Sequence, residues 1–371
     1  MWIVNIVFFR ANTHLQAWFY VMRRLIIPLL LIICSCTARN GSEAVTGEGN
    51  AFAELFEISK TADGDDMLIS ISPADGSRDT LIISQPVTKV VCMSSTHVPA
   101  FDAVGADSLI RGVSGLRYIS TPGLLQLGDK VSEVGYDELP DYEKIISINP
   151  DVVLASQTGA SVPAYVTKLR SLGVRVFMIY DNFENHPLAR AEYIRPLACI
   201  AGHLDKADSL FNGICGRYNA IAAKVIDVPV KKVLMNTPYA DQWFIPGKDS
   251  YMARFIQDAG GEILGSKEGR ESSVISVEQA LTLSSQADFW LHLGTLRSKD
   301  ALLREHPLFA SFAVTDKPHS LWNNTLRSNE AGGNDFWEGG AMHPDLVLKD
   351  LAVILHPELF KEELTYYLEL E

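Results

Sequence analysis

Apolar residues recur at Leu204, Ala207, Phe211, Ile214, Tyr218, Ile221 and Val225. Spacings of three and four put all seven on one side of a helix. A helix over residues 204–227 would run roughly 36 Å, the length of a domain. No proline interrupts it, and Val228-Pro229 marks its end, because the residue before a proline is pushed out of the α region. Gly213 and Gly216 weaken it by up to about 1 kcal/mol each.

Strand and helix patterns alternate on both sides of this rod. In the first half, over 86–185, an apolar run at 87–93 leads into the polar loop Ser94-Ser95-Thr96-His97 and a helix near 98–104. A strand end at 111–114 opens into Gly115-Leu116-Arg117-Tyr118. A short helix, a break at Asn149-Pro150-Asp151 and a buried strand at 152–155 follow, then a helix at 162–172 and a strand at 174–180. The second half, over 229–371, opens with a strand at KKVLMN. Next comes a helix capped near Asp249 or Ser250 and stopped by Gly260-Gly261. The Glu143-Lys144-Ile145-Ile146 helix before Pro150-Asp151 has a counterpart in Glu278-Gln279-Ala280-Leu281 before Ala287-Asp288. Such alternation predicts parallel sheets with right-handed crossovers. The expected architecture is α/β: two Rossmann-like lobes joined by one long α-helix within a helical linker at 186–228. The alternative is an ordinary helix inside one larger sheet domain.

The N-terminus follows another pattern. Arg23 and Arg24 precede a short apolar run at 25–33, too short to cross a bilayer comfortably, which reads as a signal peptide. Its end, Ile33-Cys34-Ser35-Cys36, resembles a lipobox with Cys36 as the lipid-accepting cysteine; a plain cleavage site with incidental cysteines is the alternative. Residues 1–21 do not fit this scheme, and translation is expected to start at Met22. Residues 37–65, rich in Gly, Ser and Glu, read as a flexible tether. Two β-rich runs over 66–85 flank Ala74-Asp75-Gly76-Ser77, a hairpin pattern.

Composition narrows the function. The formal net charge is -13, without a basic stripe, which argues against nucleic acid as a partner. The 5 cysteines lack the spacing of a zinc site or disulfide framework, although a Cys199–Cys215 bridge stays open. No G-x-S-x-G, H-E-x-x-H or G-x-G-x-x-G motif occurs where a strand would support it. His97, His292 and His343 lack ligand spacing, so no bound metal and no catalytic group is assigned.

The PGKDSYMARFIQDAGGE stretch, the paired Glu-bearing helices, the long central helix and the lipobox together resemble one family. It is the iron-siderophore, haem and cobalamin class of ABC-transporter substrate-binding proteins. The likeness extends from about residue 86 to 360. It implies a lipid-anchored, periplasmic, non-enzymatic monomer that captures a metal chelate and hands it to an ABC permease in the membrane. By position, Glu143 and Glu278 match the glutamates with which each lobe of such proteins docks onto permease arginines. Ligands of open α/β lobes sit beyond the C-terminal ends of the strands. The candidates there are Thr96, His97, Arg117, Tyr118, Tyr136 and Gln157 in the first lobe. The second lobe offers Tyr239, Trp243, Trp322, Asn323, Asn334, Phe336 and Trp337. Aromatics with Asn and Arg suit a large, flat, partly polar chelate. Two alternatives are a chelatase-like enzyme, for which His97 and His343 are the pair to examine, and a bare metal-ion binder.

Overall fold

The computed structural model describes residues 49–136, 139–159, 161–240 and 242–371. The expected rod is the helix Leu204–Lys224. It ends three residues before Asp227, where the Val225 amide donates to the Ala222 carbonyl. Its apolar stripe serves two cores. Ala207 and Phe211 pack with Val90, Val98 and Phe101, whereas Ile214 and Tyr218 pack with Val233, Ile256 and Leu351. One helix therefore anchors both lobes, and the stripe explains why it is straight-through rather than broken between them.

The first lobe is a parallel five-stranded sheet. Its strands, taken across the sheet, are Val176–Ile179, Val152–Ser156, Val90–Cys92, Ile110–Val113 and Ser132–Glu133. The second lobe orders Gly261–Ile263, Lys231–Met235, Phe289–Leu291, Leu321–Asn323 and an antiparallel edge strand, Leu368–Glu369. In each lobe the first strand is interior, central in the first sheet and second from the edge in the second, with its neighbours reached in opposite directions. That is the switch point at which strand-end loops part and leave a crevice.

The 66–85 hairpin forms as Asp66–Ile71 and Arg78–Ile83, with Asp75 Oδ1 accepting from the Ser77 amide at 3.0 Å. The tether expectation needs correction for its second part. Phe56–Lys60 is a strand paired antiparallel to Asp66–Ile71. Ahead of it, residues 51–55 are clasped by two buried carboxylates. Glu192 accepts the amides of Ala51, Phe52 and Ala53 at 2.7–2.8 Å, and Glu184 those of Glu54 and Leu55. Phe56 packs edge-on to Tyr193, with centroids 4.8 Å apart. Distant acids supply what local composition lacks. Signal peptide, lipobox, Cys36 and Met22 lie outside the described residues.

Cys92, Cys199 and Cys215 are free thiols, so the Cys199–Cys215 bridge does not form. Burial pushes the Cys199 and Cys215 thiols up to about 12.

Candidate functional site

Among the described residues, the lobes meet across the crevice at two joints. At the first, Glu338, 2% exposed, accepts the Ser120 amide at 2.7 Å, the Thr121 amide at 2.8 Å and the Thr121 hydroxyl. Burial raises its carboxyl above the usual range, and these donors pull it back. Asn329 Nδ2 adds bonds to the Arg117 and Ile119 carbonyls, each at 3.3 Å. Gly333 fits here because a Cβ would lie 2.0 Å from the Tyr118 carbonyl oxygen. At the second joint, Arg270 Nη2 donates to the Asn182 carbonyl at 3.2 Å, and its guanidinium lies 5.2 Å from the Phe183 ring centroid.

A depression at the lobe junction is lined by residues such as Pro187, Arg190, Tyr251, Phe255, Phe336 and Trp337. The Arg190 guanidinium sits 4.2 Å over the Tyr251 ring and donates to Asp181 at 3.1 Å and Asn182 at 3.0 Å. The buried atoms Arg190 Nε and Asp181 Oδ1 have no hydrogen-bond partner. Sequence reasoning missed Arg190, inside the stretch read only as a helical linker, and Tyr251, in a helix read only for its cap and glycine stop. Tertiary folding brings them together, and no spacing in the chain announces it.

The sequence-derived candidates divide sharply. Arg117 is exposed, its guanidinium 4.6 Å over the Tyr118 ring and hydrogen-bonded to that hydroxyl. Tyr136 is 39% exposed, its ring centroid 6.4 Å from that of Tyr118. On the second lobe Tyr239 is 79% exposed, and Trp337, at the lobe junction, is 45% exposed. Trp337 stands edge-on to the buried Phe336 at 4.7 Å. These five present free surface. Thr96 is partly buried, its hydroxyl 2.9 Å from the Ser94 hydroxyl, and Asn334 Oδ1 caps the Phe336 amide. Trp322 is half-buried on its strand, its indole donating to the His319 carbonyl.

Four candidates need correction. Trp243 is fully buried, stacked on Trp290 and Phe312, and donates to the Met235 carbonyl at 2.7 Å. Asn323 is also fully buried. Its Oδ1 accepts the Leu293 and Asn324 amides, and its Nδ2 donates to the Gly294 and Leu296 carbonyls. Gln157 is buried and bonds the Gly159 carbonyl. His97 is buried with Nε2 2.8 Å from the Ser156 hydroxyl, and burial pushes its pKa down to about 4. Trp243, Asn323 and Gln157 spend these hydrogen bonds inside their own lobes, and His97 is enclosed with its Nδ1 left without a partner.

His97 being so enclosed, the chelatase alternative loses its pair. Among the described residues no group of three His, Cys, Asp or Glu side chains is arranged to hold a metal ion.

Glu143 and Glu278 stand two residues past the caps of their helices, Tyr142–Ile148 and Val277–Ser284. Both side chains are exposed. Asp141 caps the first helix by accepting the Lys144 amide. Ser276 and Gln279 form a reciprocal capping box on the second.

The exposed rings offer stacking faces and Arg117 a guanidinium to a ligand. Solved structures share the fold. A periplasmic binding protein from Veillonella parvula superposes with TM-score 0.59 at 18% identity, over 79% of this chain and 98% of that one. A periplasmic haem-binding protein from Pseudomonas aeruginosa gives 0.59 at 18% identity over 77% and 98%. The vitamin B12-binding protein BtuF of Vibrio cholerae gives 0.55 at 15% identity over 73% and 97%. Among curated sequences, the uncharacterized lipoprotein MJ0878 of Methanocaldococcus jannaschii is 26% identical over 298 residues, 77% of this chain and 69% of that protein. The family described as periplasmic binding protein matches residues 90–316, more than half of the sequence, and the chain belongs to that family.

Proposed function

We propose that this solute-binding protein is the lipid-anchored, cell-envelope receptor of an ABC importer. It captures a metal chelate of the iron-siderophore, haem or cobalamin type and delivers it to the permease through Glu143 and Glu278. The observation that carries the reading is the exposed aromatic surface on both lobes. Arg117, Tyr118 and Tyr136 cluster on one lobe next to the first joint, and on the other Trp337 lines the depression that contains Arg190 while Tyr239 is exposed. Aromatic faces contribute about 1 kcal/mol each beyond area burial, and the guanidinium suits an anionic edge of the ligand. Anchoring through Cys36 is supported by the relatives that bear the name lipoprotein.

Titration of the purified protein with haemin, cyanocobalamin and a ferric catecholate or hydroxamate siderophore tests the reading. One chelate is expected to quench tryptophan fluorescence and shift its own absorption, and Trp337→Ala is expected to remove much of the quenching. If none of the three binds, the chelate class is wrong. If one binds but Trp337→Ala changes neither quenching nor affinity, the crevice walls are lined otherwise.

A further inference from the structure

Each lobe carries the same small device beside its exposed glutamate. In the first lobe, Gly135–Tyr136 and Leu139–Pro140 form an antiparallel ribbon in which Tyr136 faces Leu139. In the second, Trp243–Ile245 and Ser273–Ile275 form one in which Phe244 faces Val274. Both pairs are apolar and both are in water. Leu139 is 80% exposed and Tyr136 39%; Val274 is 49% exposed and Phe244 36%.

The register with the helices is the same in both lobes. Leu139 lies two residues before the cap Asp141 and four before Glu143; Val274 lies two before the cap Ser276 and four before Glu278. A single exposed leucine or valine is ordinary. Two of them at one position relative to two equivalent glutamates, each with an exposed aromatic across the ribbon, need a common reason. Leu139, four-fifths exposed, contributes little to folding, and the other three keep a third to a half of their surface in water.

We infer that the two ribbons are apolar pads of one docking face, and that each glutamate is the polar centre of a half-site whose hydrophobic contact is Leu139 or Val274. The inference rests on the proposed docking role of Glu143 and Glu278. The occupant is the membrane-spanning part of the importer: a partner with two equivalent sites, each joining a basic group to an apolar surface. A second copy of this chain fits badly, because it would set carboxylate against a protein of net charge -13. The apolar pads hold the complex at salt concentrations that screen the charges.

Photo-crosslinking residues introduced at 139 and 274 test this in cells, with Ile226, 76% exposed and outside both ribbons, as control. Both positions are expected to crosslink to the same ABC permease membrane subunit, identified by mass spectrometry, while position 226 does not. In nanodiscs containing that transporter, the doubly substituted Leu139→Ser, Val274→Ser protein is expected to bind at least about tenfold more weakly with unchanged chelate affinity. Its remaining binding should fall more steeply with salt than that of the unaltered protein. A crosslink only to another copy of this chain, or to no protein, overturns the inference. Unchanged transporter affinity in the serine variant overturns it too. The glutamates are separated by a second pair, Glu143→Gln with Glu278→Gln. If that pair abolishes binding and the serine pair does not, docking stands on charge alone and the pads fall. If only the serine pair weakens binding, the pads stand and the glutamates leave the mechanism.

Discussion

The two lobes are built on one strand–helix unit, but only the second also draws rings from beyond its strands into a large aromatic core. In the first, Arg117, Tyr118 and Tyr136 follow strand ends and remain in the crevice. In the second, Trp243 belongs to a ribbon strand whose burial alternates: Trp243 and Ile245 are inside, Phe244 outside. Trp243 then joins Trp290, Phe309 and Phe312 in a ring cluster with centroid spacings of 5.1–6.0 Å. The period-two geometry of an extended chain decides which ring meets water. A tryptophan's position beyond a sheet says little until its own ladder is known.

That contrast breaks or holds on two tryptophans. Trp243→Ala is expected to cost about 3–5 kcal/mol, read as a lowered urea midpoint. Trp337→Ala should cost less than about 1 kcal/mol while weakening chelate binding. Equal costs would mean that the second lobe does not keep its rings for its core.

On each side of the molecule a buried acid also clasps an extended segment, and here the two should agree. Glu192 holds the amides of residues 51–53, and Asp350, fully buried, holds those of Thr365, Tyr366 and Tyr367. Glu192→Ala and Asp350→Ala are each expected to cost about 3 kcal/mol, because backbone donors lose a charged acceptor in a dry site. A small loss at Glu192 alone would show that the N-terminal strap is dispensable.

Acid should sharpen the comparison further. Burial holds the imidazoles of His97 and His186 down to about 4, and that of His292 down to about 3. The unfolded chain takes up these protons near 6.5, so their stabilising contribution is present above that pH and lost as pH falls. From pH 7 to 5 each should remove about 2 kcal/mol. Glu184 opposes them: burial pushes its carboxyl up to about 7, so its contribution is full below about 4.5 and lost as pH rises through 7. Thermal melts should fall between pH 7 and 5, and fall more steeply in Glu184→Gln. A shallower fall in that variant would reverse the sign assigned to Glu184.

The smallest effect on folding is expected where the effect on transport is largest. Glu143→Lys with Glu278→Lys should leave the melting midpoint and chelate affinity nearly unchanged, since both side chains are solvated. Loss of docking should be at least about tenfold per site, so chelate uptake by cells should nearly vanish. Full uptake by a folded, chelate-binding double variant would remove both residues from delivery.

The long helix was legible because seven apolar positions repeat over more than five turns, and periodicity sustained that far has few other causes. The paired sheets were legible from strand–helix alternation and from the matched Glu143 and Glu278 helices. What stayed hidden depends on partners far away in sequence. Residues 51–55 are ordered by Glu184 and Glu192, and nothing in their own composition announces it. Asn323 reads as a polar loop residue until its four backbone partners are known. Arg190 reads as part of a linker, though its guanidinium faces Tyr251 from the other lobe.

The strap has a mechanical consequence. Arg195 Nη1 donates to the Gly49 carbonyl at 2.8 Å and to Asn50 Oδ1 at 3.2 Å, so residues 49 and 50 are pinned to the helices that connect the lobes. A pull applied at residue 49 would enter between the lobes, with almost no lever arm on either, and would turn the whole body rather than pry the crevice open.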